Sequence, residues 1–415
     1  MAKNMTLSKE LEWRGFVNQS TYDDIGQLDD DSVKFYWGVD PSADSMTIGH
    51  LAVAMMIKHF ISAGHEAVLL VGGATGLIGD PDGKKQERDL KTVETIENNV
   101  AGLKLQYEHI FGGEELPVVN NIDWFKDVGY LSFLREIGKN LSMTQLLDRE
   151  FVQSRIGEGG SGISYAEFSY SLIQGYDFLH LYRELGVTLQ VCGADQWGNS
   201  LAGVEMIRKL ESAEAHVFST PLIIDKSSGK KFGKSEGNAV WLDSARTSPY
   251  DFYQFWLNVD DEGVGDYLKI YTLIQPEEFD ELMTKFNKNP RERAAQRYLA
   301  YEVTKLVHGE QTANEVQTVS EVLFDGRDFT QLDSSEITGF KGVIPEVDAE
   351  NILEALQLAE LASSNSEARR FITQGAVKIN DQTTTLDSKL SDFSLTHDYL
   401  LLRRGKNSFA LIKRK

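Results

Sequence analysis

Glu66-Ala-Val-Leu-Leu-Val-Gly72 is a near-continuous apolar run closed by a glycine. A strand with one wet face would alternate polar and apolar residues. This run reads instead as a strand buried on both faces, as in a parallel sheet covered by helices. Working outward, Val33–Asp40 reads as a second short strand, and about Ile48 to Ala63 as a helix between the two. Leu189–Gly193 (LQVCG) repeats the strand pattern downstream. Strands alternating with helical segments predict an α/β fold with a parallel sheet, and ligands on such sheets bind at the carboxyl ends of the strands.

Beyond the sheet, residues from about Ser248 to His308 carry helix-spaced apolar stripes, with Gly309 at a plausible terminus. From about Val319 to Val347 the chain is acidic without strong periodicity and reads as a connector, and a last unit starts near Asn351. A length of 415 residues predicts two or three domains. The net charge of −21 argues against a nucleic-acid partner until its distribution is considered. Residues 351–415 carry ten Lys+Arg and seven Asp+Glu, a local +3 on a body of −24. Such asymmetry suits a module that contacts phosphates, or equally a solvated basic tail. The one cysteine, Cys192, forbids an internal disulfide and fits a reducing compartment. Met1–Phe16 has no signal-peptide pattern, and the longest apolar stretch is too short to cross a bilayer. A cytoplasmic protein with no membrane partner is expected.

Five stretches carry chemistry. Asp40-Pro-Ser-Ala-Asp-Ser-Met-Thr-Ile-Gly-His50 leaves a strand and enters a helix, where backbone N–H groups attract phosphate; Gly49 admits a flat base and His50 can donate to a nucleotide. A histidine at a helix start is, taken alone, more often structural. Gly72-Gly-Ala-Thr-Gly-Leu-Ile-Gly-Asp80-Pro-Asp-Gly83-Lys84-Lys-Gln-Glu-Arg88 fails as a phosphate-binding P-loop, since only three residues separate Gly79 from Gly83 and Lys85 stands where Ser or Thr is required. Lys84 and Arg88, four residues apart, suit either a solvated run or a clasp over a polyphosphate. Lys230-Lys-Phe-Gly-Lys234-Ser235 sets Lys231 and Lys234 around a glycine, a pattern able to neutralise charge growing on a phosphate and also a common turn. Tyr170, Gln174 and Asp177 fall on one helical face, either a solvent stripe or polar groups awaiting a polar ligand. Gly193-Ala-Asp195-Gln196-Trp-Gly-Asn199 puts polar groups at the end of the Leu189–Cys192 strand.

In order and spacing these stretches resemble the bacterial tyrosyl-tRNA synthetases, a class I family, from about Leu11 to the last residues. PSADSMTIGH is similar to the first class I signature (HIGH), KFGKS to the second (KMSKS), and VGGATGLIGDP, EFSY…Q…YDF and ADQWGN to the segments that bind tyrosine. The resemblance implies a Rossmann-like parallel-sheet catalytic domain, then a helical domain and a small α+β RNA-binding domain. The expected divisions are 1–222, 223–320 with the KMSKS-type loop, a connector at 321–350, and 351–415. It implies activation of L-tyrosine by ATP, with Mg2+ carried by the nucleotide and no protein-bound metal, and transfer of tyrosine to tRNA(Tyr) by a homodimer.

Residue by residue, the resemblance puts Tyr36 and Asp177 on the phenolic hydroxyl. Asp80, Tyr170 and Gln174 fall on the ammonium, Asn121 is an accessory there, and Gln196 lies near the carboxylate. Gly38, Asp40, Gly49, His50, Gly193 and Asp195 would shape the ATP site, and Lys84, Arg88, Lys231, Lys234 and Ser235 would close over the pyrophosphate. The end of the chain is similar to an RNA-binding module of a ribosomal protein, which implies phosphate contacts from Arg369, Arg370, Lys378, Arg403, Arg404, Lys406 and Lys413. Two positions depart from the family pattern. Thr47 replaces the first HIGH histidine, leaving only the hydroxyls of Thr47 and Ser42 to assist the phosphates, and Trp37 stands where a small residue is usual beside a ribose contact. The rival readings are a tryptophan-specific synthetase, against which Tyr36 and Asp177 argue, and a non-catalytic RNA-binding relative, against which His50, Asp80, Lys231 and Lys234 argue.

Overall fold

The apolar strands pair as their sequences require. In the computed structural model, which describes residues 5–81, 91–112, 116–140, 144, 147, 150–156, 160–227, 229–235 and 238–414, one sheet holds six strands. They are β1 (Gln19–Ser20), β2 (Lys34–Val39), β3 (Glu66–Val71), β4 (Val118–Asn120), β5 (Leu189–Gly193) and β6 (His216–Thr220). Their order is β1-β6-β5-β2-β3-β4. All pairings are parallel except the short β1 edge on β6.

β2 is central, and the order explains the position of the site. From β2 the chain winds outward to β3 and β4 on one side, then returns to β5 and β6 on the other. Winding reverses between β2 and β5, and a crevice opens there beyond the strands' carboxyl ends. The helix Ile48–Ser62, which joins β2 to β3, is buried nearly all round, as a run of IGHLAVAMMIKHF demands. The helix Tyr165–Leu185 packs with Trp197–Leu210 over the side of the sheet that carries Tyr36, Val68 and Leu70.

By contacts the chain forms two units, Met1–Thr247 with Val259–Leu299, and Ser248–Asn258 with Ala300–Lys415. The expected helical stretch is present as Pro249–Leu257, Val264–Tyr271, Pro276–Lys288 and Ala294–His308, but it is shared between the units. Two short strands, β7 (Lys234–Ser235) and β8 (Asn238–Ala239), form a hairpin in the first unit.

The second unit contains a five-stranded sheet of β9 (Glu346–Asp348), β10 (Val377–Ile379), β11 (Gln382–Thr383), β12 (Tyr399–Arg404) and β13 (Ser408–Lys413). One face, with Leu400, Leu402 and Ile412, packs on the helices Ile352–Leu358 and Asn365–Thr373. The other face, with Tyr399, Leu401, Phe409 and Leu411, packs on Val319, Val322, Leu323, Phe329, Leu332, Ile337 and Phe340. The stretch expected as a connector at 321–350 is therefore folded and supplies half of this core, with β9 completing the sheet edge beside β13. Its apolar residues are spaced by turns rather than by one period, so they show no face until the distant sheet is in place.

Candidate active site

The crevice is built from loops that leave β2, β3, β4 and β5 at their carboxyl ends, facing the helix Tyr165–Leu185. One chain of hydrogen bonds runs across it. Trp124 Nε1 donates to Asp177 Oδ1 at 2.9 Å, and Asn121 Nδ2 donates to Asp177 Oδ2 at 3.0 Å. Asn121 Nδ2 also reaches Thr75 Oγ1 at 3.1 Å, and Thr75 donates to Asp40 Oδ1 at 2.6 Å. Tyr170 OH donates to Asp40 Oδ2 at 2.7 Å. Four segments far apart in sequence are thus tied into one polar wall. Gly72 is required there, because a Cβ at that position would come 2.2 Å from both Asp40 Oδ1 and Thr75 Oγ1.

A second group surrounds Asp80. Gln196 Nε2 donates to Asp80 Oδ2 at 2.6 Å, and Asn199 Nδ2 lies 3.5 Å from Asp80 Oδ1. Ser171 Oγ orients Asn199 by donating to its Oδ1 at 2.6 Å. The stripe of Tyr170, Gln174 and Asp177 is not a solvent face: Tyr170 and Asp177 are buried and Gln174 half-buried.

Three buried oxygens in this region have no hydrogen-bond partner among the described residues: Tyr36 OH, Gln174 Oε1 and Gln190 Oε1. Leaving such a group unmade costs about 1–3 kcal/mol, so each is open to a polar partner from a ligand or from water. Tyr36 is 1% exposed, and its ring lies 5.2 Å from Phe178. Gln190 is its register partner on β5 and projects from the same face. Burial pushes the Asp177 carboxyl up to about 8, against the hydrogen bonds from Asn121 and Trp124, which pull it down. Burial, aided by the nearby Asp177, holds the Tyr36 phenol well above 10.

The other end of the crevice is more open. Gly38 is exposed at the end of β2, between the buried Trp37 and Val39, and offers bare backbone to a flat ligand. Trp37 lies on the opposite face of β2 from Tyr36 and packs at 5.4 Å on Tyr107, so its bulk is kept off the face that carries Tyr36 and Gly38. Gly193 is half-buried at the end of β5, Asp195 follows it exposed at the surface, and Lys231 Nζ approaches Asp195 Oδ2 at 3.5 Å.

Thr47 caps the helix Ile48–Ser62. Its N–H donates to His50 Nδ1 at 3.1 Å, and its hydroxyl is 3.1 Å from the same nitrogen. Accepting at Nδ1 puts the neutral ring's proton on Nε2, so His50 carries a donor on its outer nitrogen. Gly49 is half-buried in the first turn, and Ser42 is exposed in the loop between β2 and this helix.

The structure therefore gathers Tyr36, Asp40, Asp80, Asn121, Tyr170, Gln174, Asp177 and Gln196 around one crevice. Within it Asn121 donates to Asp177 and Tyr170 donates to Asp40. Sequence reading passed over Trp124 and Gln190, and quoted the stretches holding Thr75, Ser171 and Asn199 without giving those residues a role. Lys84 and Arg88 lie outside the described residues. So do the side chains of Lys234 and Ser235, whose backbone is placed in β7.

Among known proteins, residues 28–325 match the family model of class I tRNA synthetases for tryptophan and tyrosine. Residues 336–412 match that of a tyrosine–tRNA ligase C-terminal domain. The chain is 43% identical to tyrosine–tRNA ligase 2 of Bacillus cereus over 423 residues, covering 99% of each chain. It is 41% identical to the tyrosine–tRNA ligase of Limosilactobacillus reuteri, covering 99% of this chain and 100% of that one. A C-terminally truncated mitochondrial tyrosyl-tRNA synthetase from Aspergillus nidulans superposes with a TM-score of 0.70 at 29% identity, over 78% of this chain and 95% of that one.

Proposed function

Because this chain belongs to the tyrosyl-tRNA synthetases of class I and its activity is that of a tyrosine–tRNA ligase, we propose that the crevice between β2 and β5 is where tyrosine meets ATP. The observation that carries this reading is the buried, unpartnered Tyr36 OH beside Asp177, a carboxyl whose two oxygens are already fixed by Trp124 and Asn121. A substrate phenol fits there by accepting from Tyr36 and donating to Asp177. An indole has no hydroxyl to offer. Asp80, held by Gln196 and Asn199, takes the ammonium together with Gln174, and Tyr170 reaches the same region from Asp40.

The nucleotide lies over Gly38, Asp40, Gly49, His50, Gly193 and Asp195. The tyrosine carboxylate needs no general base, since an α-carboxyl titrates near pH ~3.5. It attacks the α-phosphorus; the bond to the β,γ-pyrophosphate breaks, and tyrosyl-adenylate forms. The protein's work is alignment and stabilisation of charge on the leaving pyrophosphate, by His50, Lys84, Arg88, Lys231, Lys234 and Ser235, with Ser42 and Thr47 as neutral neighbours. Mg2+ arrives with the triphosphate. A ribose hydroxyl at the 3′ end of tRNA(Tyr) then attacks the adenylate carbonyl and releases AMP.

The pocket makes tyrosine affinity pH-dependent. A phenol donating to Asp177 favours the ionised carboxylate, so binding lowers a carboxyl that stands at about 8 in the free protein and releases its proton. Affinity should rise as pH goes from about 6 toward about 8 and level off above, as read by equilibrium dialysis. Asp177→Asn should flatten that dependence. A wild-type profile that falls over this range would remove the ionised carboxylate from the reading.

The unit with the second sheet is proposed to hold tRNA, but its cations form more than one patch. Arg369 and Arg370 are exposed on the helix Asn365–Thr373, and Arg370 and Arg404 flank the Phe371 ring at 5.3 and 5.0 Å. Lys406 is exposed in the turn between β12 and β13. Lys378 and Arg403 are register partners on the opposite face of the sheet, and Lys413 pairs with Tyr399 at the far end of the same hairpin. The Arg369–Arg370–Arg404 face is the preferred site for phosphates. Replacing these three by alanine should leave pyrophosphate exchange unchanged and raise the KM for tRNA. The slope of log affinity against log salt should shrink by roughly 0.9 for each phosphate that is no longer neutralised. Unaltered charging kinetics would exclude this face.

A homodimer is proposed as the working form, supported by exposed apolar side chains at Tyr130 (63%), Leu131 (78%) and Tyr165 (63%). The cytoplasm is the compartment this reading implies. Among the described residues, no helix is long and apolar enough to cross a membrane.

A further inference from the structure

We propose that Phe232, between the two lysines of the KFGKS segment, is a positioning residue that anchors those lysines by stacking on Tyr267. The inference rests on the reading of Lys231 and Lys234 given above. Phe232 is buried, and its ring lies 4.1 Å from that of Tyr267 at 22°, with Tyr271 one turn further at 6.1 Å. Its backbone is fixed as well, since Phe232 N donates to Ile223 O at 2.8 Å.

The next residue is equally constrained. Gly233 has φ +77°, and a Cβ there would stand 2.5 Å from Ile48 Cδ1, the first residue of the helix that begins at the HIGH-like motif. Val240 N donates to Gly233 O, and Ile48 N donates to Val240 O, both at 3.1 Å. The segment is therefore fixed at Phe232 and Gly233, with Lys231 and Lys234 on either side of that point in the chain.

The platform under Phe232 is itself held in place. Tyr267 and Tyr271 lie on the helix Val264–Tyr271. The buried Arg14 guanidinium ties that helix end down, donating to Lys269 O at 2.8 Å and to Thr272 O and Ile274 O at 2.9 Å. Glu10 holds Arg14 at 3.1 Å and also meets His59 at 3.1 Å, on the helix Ile48–Ser62. These interactions close a circuit. One helix presents His50 at its start, reaches the Tyr267 platform through His59, Glu10 and Arg14, and meets the lysine segment through Ile48 and Gly233. A stack set into this frame fixes how far the lysines stand from the triphosphate.

The test is steady-state ATP–pyrophosphate exchange with tyrosine binding measured separately. Phe232→Ala and Tyr267→Ala should lower kcat ten-fold or more while the tyrosine Kd stays within two-fold. Phe232→Tyr and Tyr267→Phe, which keep the rings, should stay near wild type. Phe232→Leu keeps an apolar side chain without the stack, so it should lower kcat while the melting temperature falls by no more than about 4 °C. Wild-type kcat in the alanine variants, or an equal loss of tyrosine affinity, would overturn the proposal. Lys234→Ala in parallel separates the two claims. If it lowers kcat and Phe232→Ala does not, the anchor is wrong; if Lys234→Ala itself is silent, the lysine reading beneath it has failed.

Discussion

Lys234→Ala is expected to slow tyrosyl-adenylate formation by about 10²- to 10³-fold while leaving tyrosine affinity almost unchanged. The substrate carboxylate is already a competent nucleophile, so the barrier lies in alignment and in the charge that gathers on pyrophosphate as the bond to the α-phosphorus breaks. A cation that meets this charge more closely than it meets ATP lowers the barrier without tightening ground-state binding. Lys234 is well placed in the chain for that task. It follows Gly233, whose backbone is packed on Ile48 at the start of the helix carrying His50. Single-turnover formation of the adenylate, with equilibrium binding of tyrosine alongside, reads the two effects apart. A proportional loss of rate and affinity would assign Lys234 to ground-state binding instead.

Asp177→Ala is expected to lower the preference for tyrosine over phenylalanine by about 10- to 100-fold, the worth of a hydrogen bond to a charged group. The carboxyl is buried, and both its oxygens are held in place, by Trp124 at 2.9 Å and Asn121 at 3.0 Å. Phenylalanine would leave it and the Tyr36 hydroxyl facing a hydrocarbon edge. A site built to bond a hydroxyl rejects the analogue that lacks one; tyrosyl-tRNA synthetases are themselves the reference case, with rejection of phenylalanine near ~10⁵, a figure for the family and not one obtained from this geometry. The ratio of kcat/KM values in pyrophosphate exchange measures the loss. Asp177→Asn, which keeps the shape, guards against a folding artefact. An unchanged ratio in both variants would remove Asp177 from the specificity device.

The contrast between Asp177 and Trp124 shows where sequence reasoning reaches and where it stops. Asp177 belongs to a polar stripe at helical spacing, and a stripe is a pattern visible in one dimension. Trp124 lies in the run NIDWF, which shows no such pattern; only its contact with the helix Tyr165–Leu185, where it stacks on His180 at 4.4 Å, turns its indole N–H into a clamp on Asp177. Thr75, Ser171 and Asn199 had no legible role for the same reason, since each acts through a partner distant in sequence. Three strands of the catalytic sheet, β2, β3 and β5, were legible because a buried parallel strand must be largely apolar, whereas the shorter or more polar β1, β4 and β6 were not read. The folded stretch at 321–350 was not, because Phe329, Ile337 and Phe340 find their apolar partners on β12 and β13. Thr47 carries a further lesson. Its place in the HIGH-like motif suggests a phosphate neighbour; what no one-dimensional pattern showed is that its backbone and hydroxyl also meet His50 Nδ1 and help cap the helix.

The most direct test is a crystal structure of the protein with L-tyrosine bound. The account predicts the phenolic oxygen within about 3 Å of both Tyr36 OH and an Asp177 carboxylate oxygen, with the ammonium directed at Asp80. A ring lying elsewhere in the crevice, or a hydroxyl that meets neither Tyr36 nor Asp177, would contradict it.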